Sequence, residues 1–336
     1  MPLRETDTSG IVECMGLYYR VFAALFVFVL SGAGMRAQET SPAVAPDEKP
    51  LPELHQLVLD LDRNQKAAEK AAENYTYHLH TVEESIDGKG GVKKTETLDS
   101  ESLTVQGVRV DRLVARDGKP LTPDQAKKED ERIDKDVAKA NERRTKAEEK
   151  ARETNSRGDE LITASRFLEL GKFSNERRET LNGRPAILVD YAGDPDAKTR
   201  NSAENVVRDL VGTVWIDEAD RTMVRAEGHF LNDFKVLGGL AVDIRKGTSF
   251  SFRSKKINGE AWLPEEIDGD GHMRLLLFVS FTGHMRVTAS DYRKFHATST
   301  IVGTNGVIGA DGQPVPDGQP VPDAPAPPQP TANPKP

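Results

Sequence analysis

From Lys172 to Thr300 apolar and polar residues alternate almost without interruption, and short turn signals punctuate the alternation. A period of two sends successive side chains to opposite faces of an extended backbone, so this region must build sheet rather than helix. "RPAILVDYAG" reads as one strand, followed by a loop and short helix over "DPDAKTRNSAE". A hairpin, "GTVWIDEADRTMVRAEGHF", then runs from Gly212 to Phe230. "TSFSFRSKKINGEAWLPEEI" contains Asn258-Gly259, a pair that tolerates the left-handed backbone of a tight two-residue turn. "DGDGH" at Asp268–His272 reads as a turn into "MRLLLFVSF", and "MRVTASDYRKF" closes the set. With "YTYHLHTVEE" and a stretch around Leu103–Ala115 upstream, this makes about nine to eleven short strands, mostly hairpin-linked. The expected fold is mainly β (α+β): a largely antiparallel, strongly curved sheet with few helices.

The hairpin also constrains what the sheet faces. Its first strand is apolar on both sides, with Val214 and Ile216 on one and Val211 and Trp215 on the other. Its second strand sets Val224, Ala226 and Phe230 against Met223, Arg225, Glu227 and His229. A strand apolar on both faces has to be covered twice, by helices or by a ligand. "LLLFVSF" has the same property. Each aromatic residue taken singly reads as core. Together Tyr75, Tyr77, Leu79, Trp215, Phe250, Phe252, Trp262 and Phe278 are the candidate lining of an apolar cavity in a curved sheet. Trp215 is expected to line or close the inner face.

Helical segments flank this sheet. Leu51 to about Glu73 carries Leu54, Leu57, Val58, Leu61, Ala68 and Ala72 on one stripe, with Pro52 in the first turn. Thr122 to about Arg157 holds eleven basic and ten acidic residues. Ile133, Val137, Ala140, Ala147 and Ala151 form only a thin, alanine-rich seam along it. It reads as one long helix, weakly docked, with most of its charge solvated and too little net charge for a membrane-surface helix. "ELITASRFLELG" reads as a second helix or turn ending at Gly171.

The ends of the chain read as a signal at the front and an unstructured tail at the back. Arg20 precedes the apolar run Val21–Leu30, and small residues follow to Ala37. This is the order of a secretory signal, with Met1–Cys14 an upstream extension and Met15 a more natural start. The run is too short for a spanning helix. Residues 38–50 read as a disordered linker, 51–302 as the folded domain, and 303–336 as a Pro/Gly-rich disordered tail that repeats GQPVPD. Cys14 is the one cysteine, so the exported form, in the periplasm or cell envelope, has neither disulfides nor thiol chemistry.

A net charge of −8 without a basic stripe argues against nucleic acid. There is no G-x-S-x-G, H-E-x-x-H, Walker-type or G-x-G-x-x-G motif, and Val279 stands where a calcium loop beginning at Asp268 needs Glu. His78 and His80 share a strand face, but the sequence places no third ligand beside them, and they read as solvent-facing. Glu83/Glu84 and Glu265/Glu266 are adjacent, so each pair points to opposite faces and cannot act as an acid/base couple. No catalytic residue, metal site or cofactor is expected.

The order of these segments resembles the bacterial outer-membrane lipoprotein-sorting, Lol-carrier-like family. The residues carrying the resemblance are the signal, the amphipathic helix leading into "YTYHLHTVEE", "NGRPAILVDY", "GTVWIDEADRTMVRAEGHF", "INGEAWLP" and "SDYRKF", over roughly Leu51–Thr300. The resemblance implies an unclosed antiparallel half-barrel whose apolar concave face is lidded by helices. It also implies lipid or lipoprotein acyl chains as partners, without enzymatic activity. The long charged helix and the Pro-rich tail depart from that pattern. An envelope module with a filled concavity, recognising a protein instead of a lipid, is the alternative.

Overall fold

The computed structural model describes residues 49–150, 154–158, 162–200, 202–236, 242–275 and 279–294. The signal, the linker up to residue 48, the Pro-rich tail and Phe278 lie outside them. Among the described residues eleven strands follow one another in one sheet, in the order β4 (Lys119–Pro120), β3 (Val108–Arg116), β2 (Val92–Val105), β1 (Tyr75–Ile86), β13 (Val279–Lys294), β12 (Ala261–Leu275), β11 (Ser249–Ile257), β8 (Met223–Phe230), β7 (Leu210–Asp217), β6 (Arg184–Gly193) and β5 (Gly171–Leu181), and every pairing along it is antiparallel. The end strands β4 (Lys119–Pro120) and β5 (Gly171–Leu181) do not meet, so the curved sheet stays an unclosed half-barrel. A short pair, β9 (Phe234–Val236) and β10 (Val242–Ile244), hangs from the far end of β12 (Ala261–Leu275).

Among the described residues four helices accompany the sheet: α1 (Leu54–Ala72), α2 (Pro123–Glu148), α3 (Ala164–Leu170) and α4 (Ser202–Val207). Thr122 starts α2 with a capping box completed by Gln125, which satisfies donors that the first turn leaves open. Asp62 of α1 accepts from the Ala164 and Ser165 amides (2.9 Å to Ser165), so one helix caps the next. Leu57, Val58 and Leu61 of α1, Phe167 and Leu170 of α3 and Val207 of α4 are buried against β6 (Arg184–Gly193) and β7 (Leu210–Asp217). This is the inner face.

Two expectations about turns are corrected. The stretch around Leu103–Ala115 is not one strand. Gln106 and Gly107, both at positive φ (49° and 73°), turn β2 (Val92–Val105) into β3 (Val108–Arg116). Gln rarely adopts that conformation, so the turn gave no signal. "DGDGH" is not a turn but lies inside β12, paired with β13 (Val279–Lys294). Its outward residues find partners there: Asp268 with Arg286 (2.8 Å) and His272 with Thr282 (2.5 Å). Its glycines allow close approach, because a Cβ on Gly271 would sit 2.6 Å from Thr248 Cα.

Candidate functional site

α1 lies on the inner face with an apolar seam beneath it. Leu54, Val58 and Leu61 from the helix meet Phe173 of β5, Val189 of β6, and Val214 and Ile216 of β7. These lining side chains are all apolar. The gap they leave is about 10 Å³, room for about one water molecule, where a ligand pocket holds roughly 300–1,000 Å³. The seam is narrow and wholly apolar.

The candidate lining residues divide between the two faces. Tyr75, Tyr77 and Leu79 of β1 (Tyr75–Ile86) are buried on the inner face with Leu263 and Val287. Phe250 and Phe252 of β11 (Ser249–Ile257) pack against the same face, and Phe252 with Met285 joins its two clusters. Trp215 does not line that face, contrary to expectation. It packs with Ala186, Leu188 and Val224 on the opposite, outer face, and Trp262 packs against that cluster. The alternation along β7 is responsible: Val214 and Ile216 point inward, so Trp215 cannot.

The strand after the hairpin turn is also corrected in part. A bulge between Trp215 and Ile216 pairs Ile216 with Met223, which turns Met223 inward and Val224 outward. Among the described residues no helical side chain joins the outer cluster. The Arg225 guanidinium caps the Trp215 ring at 4.4 Å, and Arg184 (5.6 Å) and Lys256 (5.9 Å) flank Trp262. The hairpin turn ties the layers together. The Asp220 carboxylate accepts from Trp262 (2.9 Å), Lys256 (2.6 Å) and Arg184 (3.0 Å), while its carbonyl accepts from Asn64 of α1 (2.9 Å).

One row of the inner face went unread in the sequence. In register across the strands stand Phe173, Tyr191, Gly212, Gly228, Phe250, Gly269 and Met285. Gly228 lies under the Phe250 ring, since a Cβ there would be 1.7 Å from Cζ of Phe250. Isolated glycines within strand patterns mark such close approaches, and that was the available signal. Within the row, Tyr191 is buried between Phe167 (5.4 Å) and Phe173 (5.1 Å). Its hydroxyl has no hydrogen-bond partner among the described residues, and burial pushes its phenol well above the usual range.

Titratable groups elsewhere are mostly paired. His78 and His80 both lean on Asp99, at 3.6 and 2.8 Å. Among the described residues no group of three or more His, Cys, Asp or Glu has the geometry to hold a metal ion. Burial, and then Glu96 across the strand pair, raises the Glu83 carboxyl. Among the described residues no helix is long and apolar enough to cross a membrane.

No protein-family model matches the chain, and no curated protein matches it. Among solved structures, an outer membrane lipoprotein-sorting protein domain from Vibrio parahaemolyticus is 11% identical, with a TM-score of 0.34 over 72% of this chain and 94% of that one. A LolA superfamily protein from Nitrosomonas europaea is 7% identical, with a TM-score of 0.30 over 72% and 93%. A DUF1329 family protein from Desulfovibrio piger is 10% identical, with a TM-score of 0.27 over 72% and 92%. The first two carry the name of the family that the segment order resembles.

Proposed function

We propose that the chain is an exported, non-enzymatic protein that holds a lipid or acyl chain on the inner face of its half-barrel, in lipoprotein sorting or envelope lipid handling. The observation that carries this reading is the wholly apolar seam between α1 and β5–β7. In the described state α1 closes it, and binding requires α1 to lift. Residues Glu73 and Asn74 join α1 directly to β1, so the helix pivots at its C-terminal end. Exposing Leu57, Val58 and Leu61 costs roughly 5–9 kcal/mol, at about 1.5–3 kcal/mol each. About ten methylenes of an acyl chain contribute roughly 8 kcal/mol. The two terms are of one size, so the empty protein stays shut while a chain entering as α1 leaves offsets the cost.

A specific observation favours the second reading, an envelope interaction module with a filled concavity: the gap of about 10 Å³ is too small for any lipid as it stands. Titration with a fluorescent fatty acid separates the two. The chain is expected to bind it, but more weakly than the micromolar affinity that about 8 kcal/mol alone would give, because opening α1 takes up much of that energy; an N64C/D220C variant before cross-linking is expected to behave alike. A short bis-maleimide joining those positions pins α1 to the hairpin turn and is expected to abolish binding. Absence of binding to the free protein supports the filled module. Unchanged binding after cross-linking removes the lid mechanism.

A further inference from the structure

We propose that Ser102, Thr104 and Asp111 form a polar seat on the inner face for a neutral, hydroxyl-bearing group, either the head of a lipid or a free polyol. In its lipid form the seat rests on the function proposed above. Register brings the three residues together. Ser102 of β2 stands between Tyr77 of β1 and Asp111 of β3, and Thr104 follows two residues on, opposite Arg109. Paired residues and residues two apart share a face, so all three point as Tyr77 does, to the inner side. The Arg109 guanidinium lies over the Tyr77 ring at 5.2 Å, on that same side.

Their unbonded atoms single them out. Ser102 is 0% exposed, yet its Oγ has no hydrogen-bond partner among the described residues. The same holds for the buried Oγ1 of Thr104 and Oδ1 of Asp111. Leaving one such atom unpaired is costly, and here three share one patch of sheet. The rest of Asp111 is accounted for. Its Oδ2 accepts from Arg157 (2.7 Å), and its carbonyl accepts from Arg132 of α2 (2.8 Å). Beside it Glu129 of α2, only 2% exposed on a helix read as mostly solvated, accepts from the Leu113 amide (2.8 Å). α2 thus serves the backbone of β3 and leaves the three side-chain atoms unserved.

The surrounding charges select the occupant. Arg157 balances the Asp111 carboxylate, and Arg109 donates to the carbonyls of Tyr75 (2.8 Å) and Ala72. An anion would face Asp111, and a cation would face two guanidinium groups, so a neutral group fits. Asp111 Oδ1 only accepts, so that group must donate, while the Ser102 and Thr104 hydroxyls can do either. Opposed side chains stand about 5 Å apart and diagonal ones about 7 Å, so reaching all three atoms takes two neighbouring hydroxyls, as on a glyceryl group or a sugar. The place suits a lipid head. Arg109 ties the cluster to the C-terminal end of α1, where the helix pivots, and Tyr77 and Leu79 lead from it into the apolar clusters.

The test compares monolaurin with methyl laurate, which has the same chain and no hydroxyl, each displacing a fluorescent fatty acid from the full chain. Wild type is expected to bind monolaurin about tenfold more tightly, the gain of one or two net hydrogen bonds. S102A/T104V removes two unpaired hydroxyls, which should leave folding intact. It is expected to bind both esters alike, as wild type binds methyl laurate. Equal binding of the two esters by wild type, or a preference kept by the variant, means that ordered water alone serves these atoms and overturns the proposal. If neither ester binds, the lipid reading falls and free glycerol decides. A thermal midpoint raised by glycerol more in wild type than in the variant keeps the seat as a polyol site, and equal shifts overturn it.

Discussion

Leu61 and Leu59 stand two residues apart on α1 and should behave oppositely. Leu61 is 2% exposed and lines the seam, whereas Leu59 is 38% exposed on the outer side of the helix. Truncating Leu61 to Ala removes three carbons from an apolar environment, about 2.4 kcal/mol at about 0.8 kcal/mol per methylene. The cavity left behind adds to this, at about 24 cal/mol per Å³ of unfilled space. α1 is a single helix resting on the sheet and can settle inward, so the total should fall at about 3–4 kcal/mol, toward the low end of the Leu→Ala range. At about 2–4 °C per kcal/mol for a domain of this size, the thermal midpoint drops by roughly 6–16 °C. Leu59→Ala should stay within about 0.5 kcal/mol of wild type. Urea and thermal unfolding, each followed by circular dichroism, measure both variants. A Leu61→Ala change below about 1 kcal/mol, matched by Leu59→Ala, would refute the docking of α1 and leave the inner face uncovered.

Other consequences follow from named contacts. Gly228→Ala forces the Phe250 ring off its seat and should cost about 1–3 kcal/mol. In a Phe250→Ala background the same change should be nearly free, which a double-mutant cycle in urea detects. Arg166 and Glu204 form a buried pair bonded at 2.9 Å twice, and Glu204→Gln should cost about 3 kcal/mol at neutral pH. Its bonds from Arg166 hold the Glu204 carboxyl below its ordinary value of 4.5. The stabilisation is therefore complete above that pH and fades as pH falls through the lower folded value. The gap between wild type and Glu204→Gln should accordingly close on acidification, as stability curves recorded from pH 7 down to pH 3 would show.

Much of the architecture was legible because period and turn chemistry are local. The stripe of Leu57, Val58 and Leu61 defined the buried side of α1, and Asn258-Gly259 marked the β11–β12 turn, with φ of 53° and 72°. Ile133, Val137 and Ala140 likewise named the buried side of α2. What stayed hidden depends on partners distant in sequence. The bulge opposite Trp215 reverses Met223 and Val224, and nothing in either strand alone announces it. Trp215 itself looked like cavity lining because it is large and aromatic. Its true neighbours, Leu188 and Arg225, come from the strands on either side. The buried Glu129 was invisible because its value lies in the Leu113 amide, which only the register of β2 against β3 leaves open. The glycine row across β7, β8 (Met223–Phe230) and β12 likewise exists only once the strands are aligned.

The central claim is that the inner face exists to hold an apolar chain. Mass spectrometry of an organic extract tests it most directly, on protein produced from the full chain and purified without detergent. Lipid or fatty acid close to one per protein, released when the fold is denatured, is the expected result. An extract free of lipid, from protein that also fails to take up a fluorescent fatty acid, would contradict it and leave α1 as permanent core.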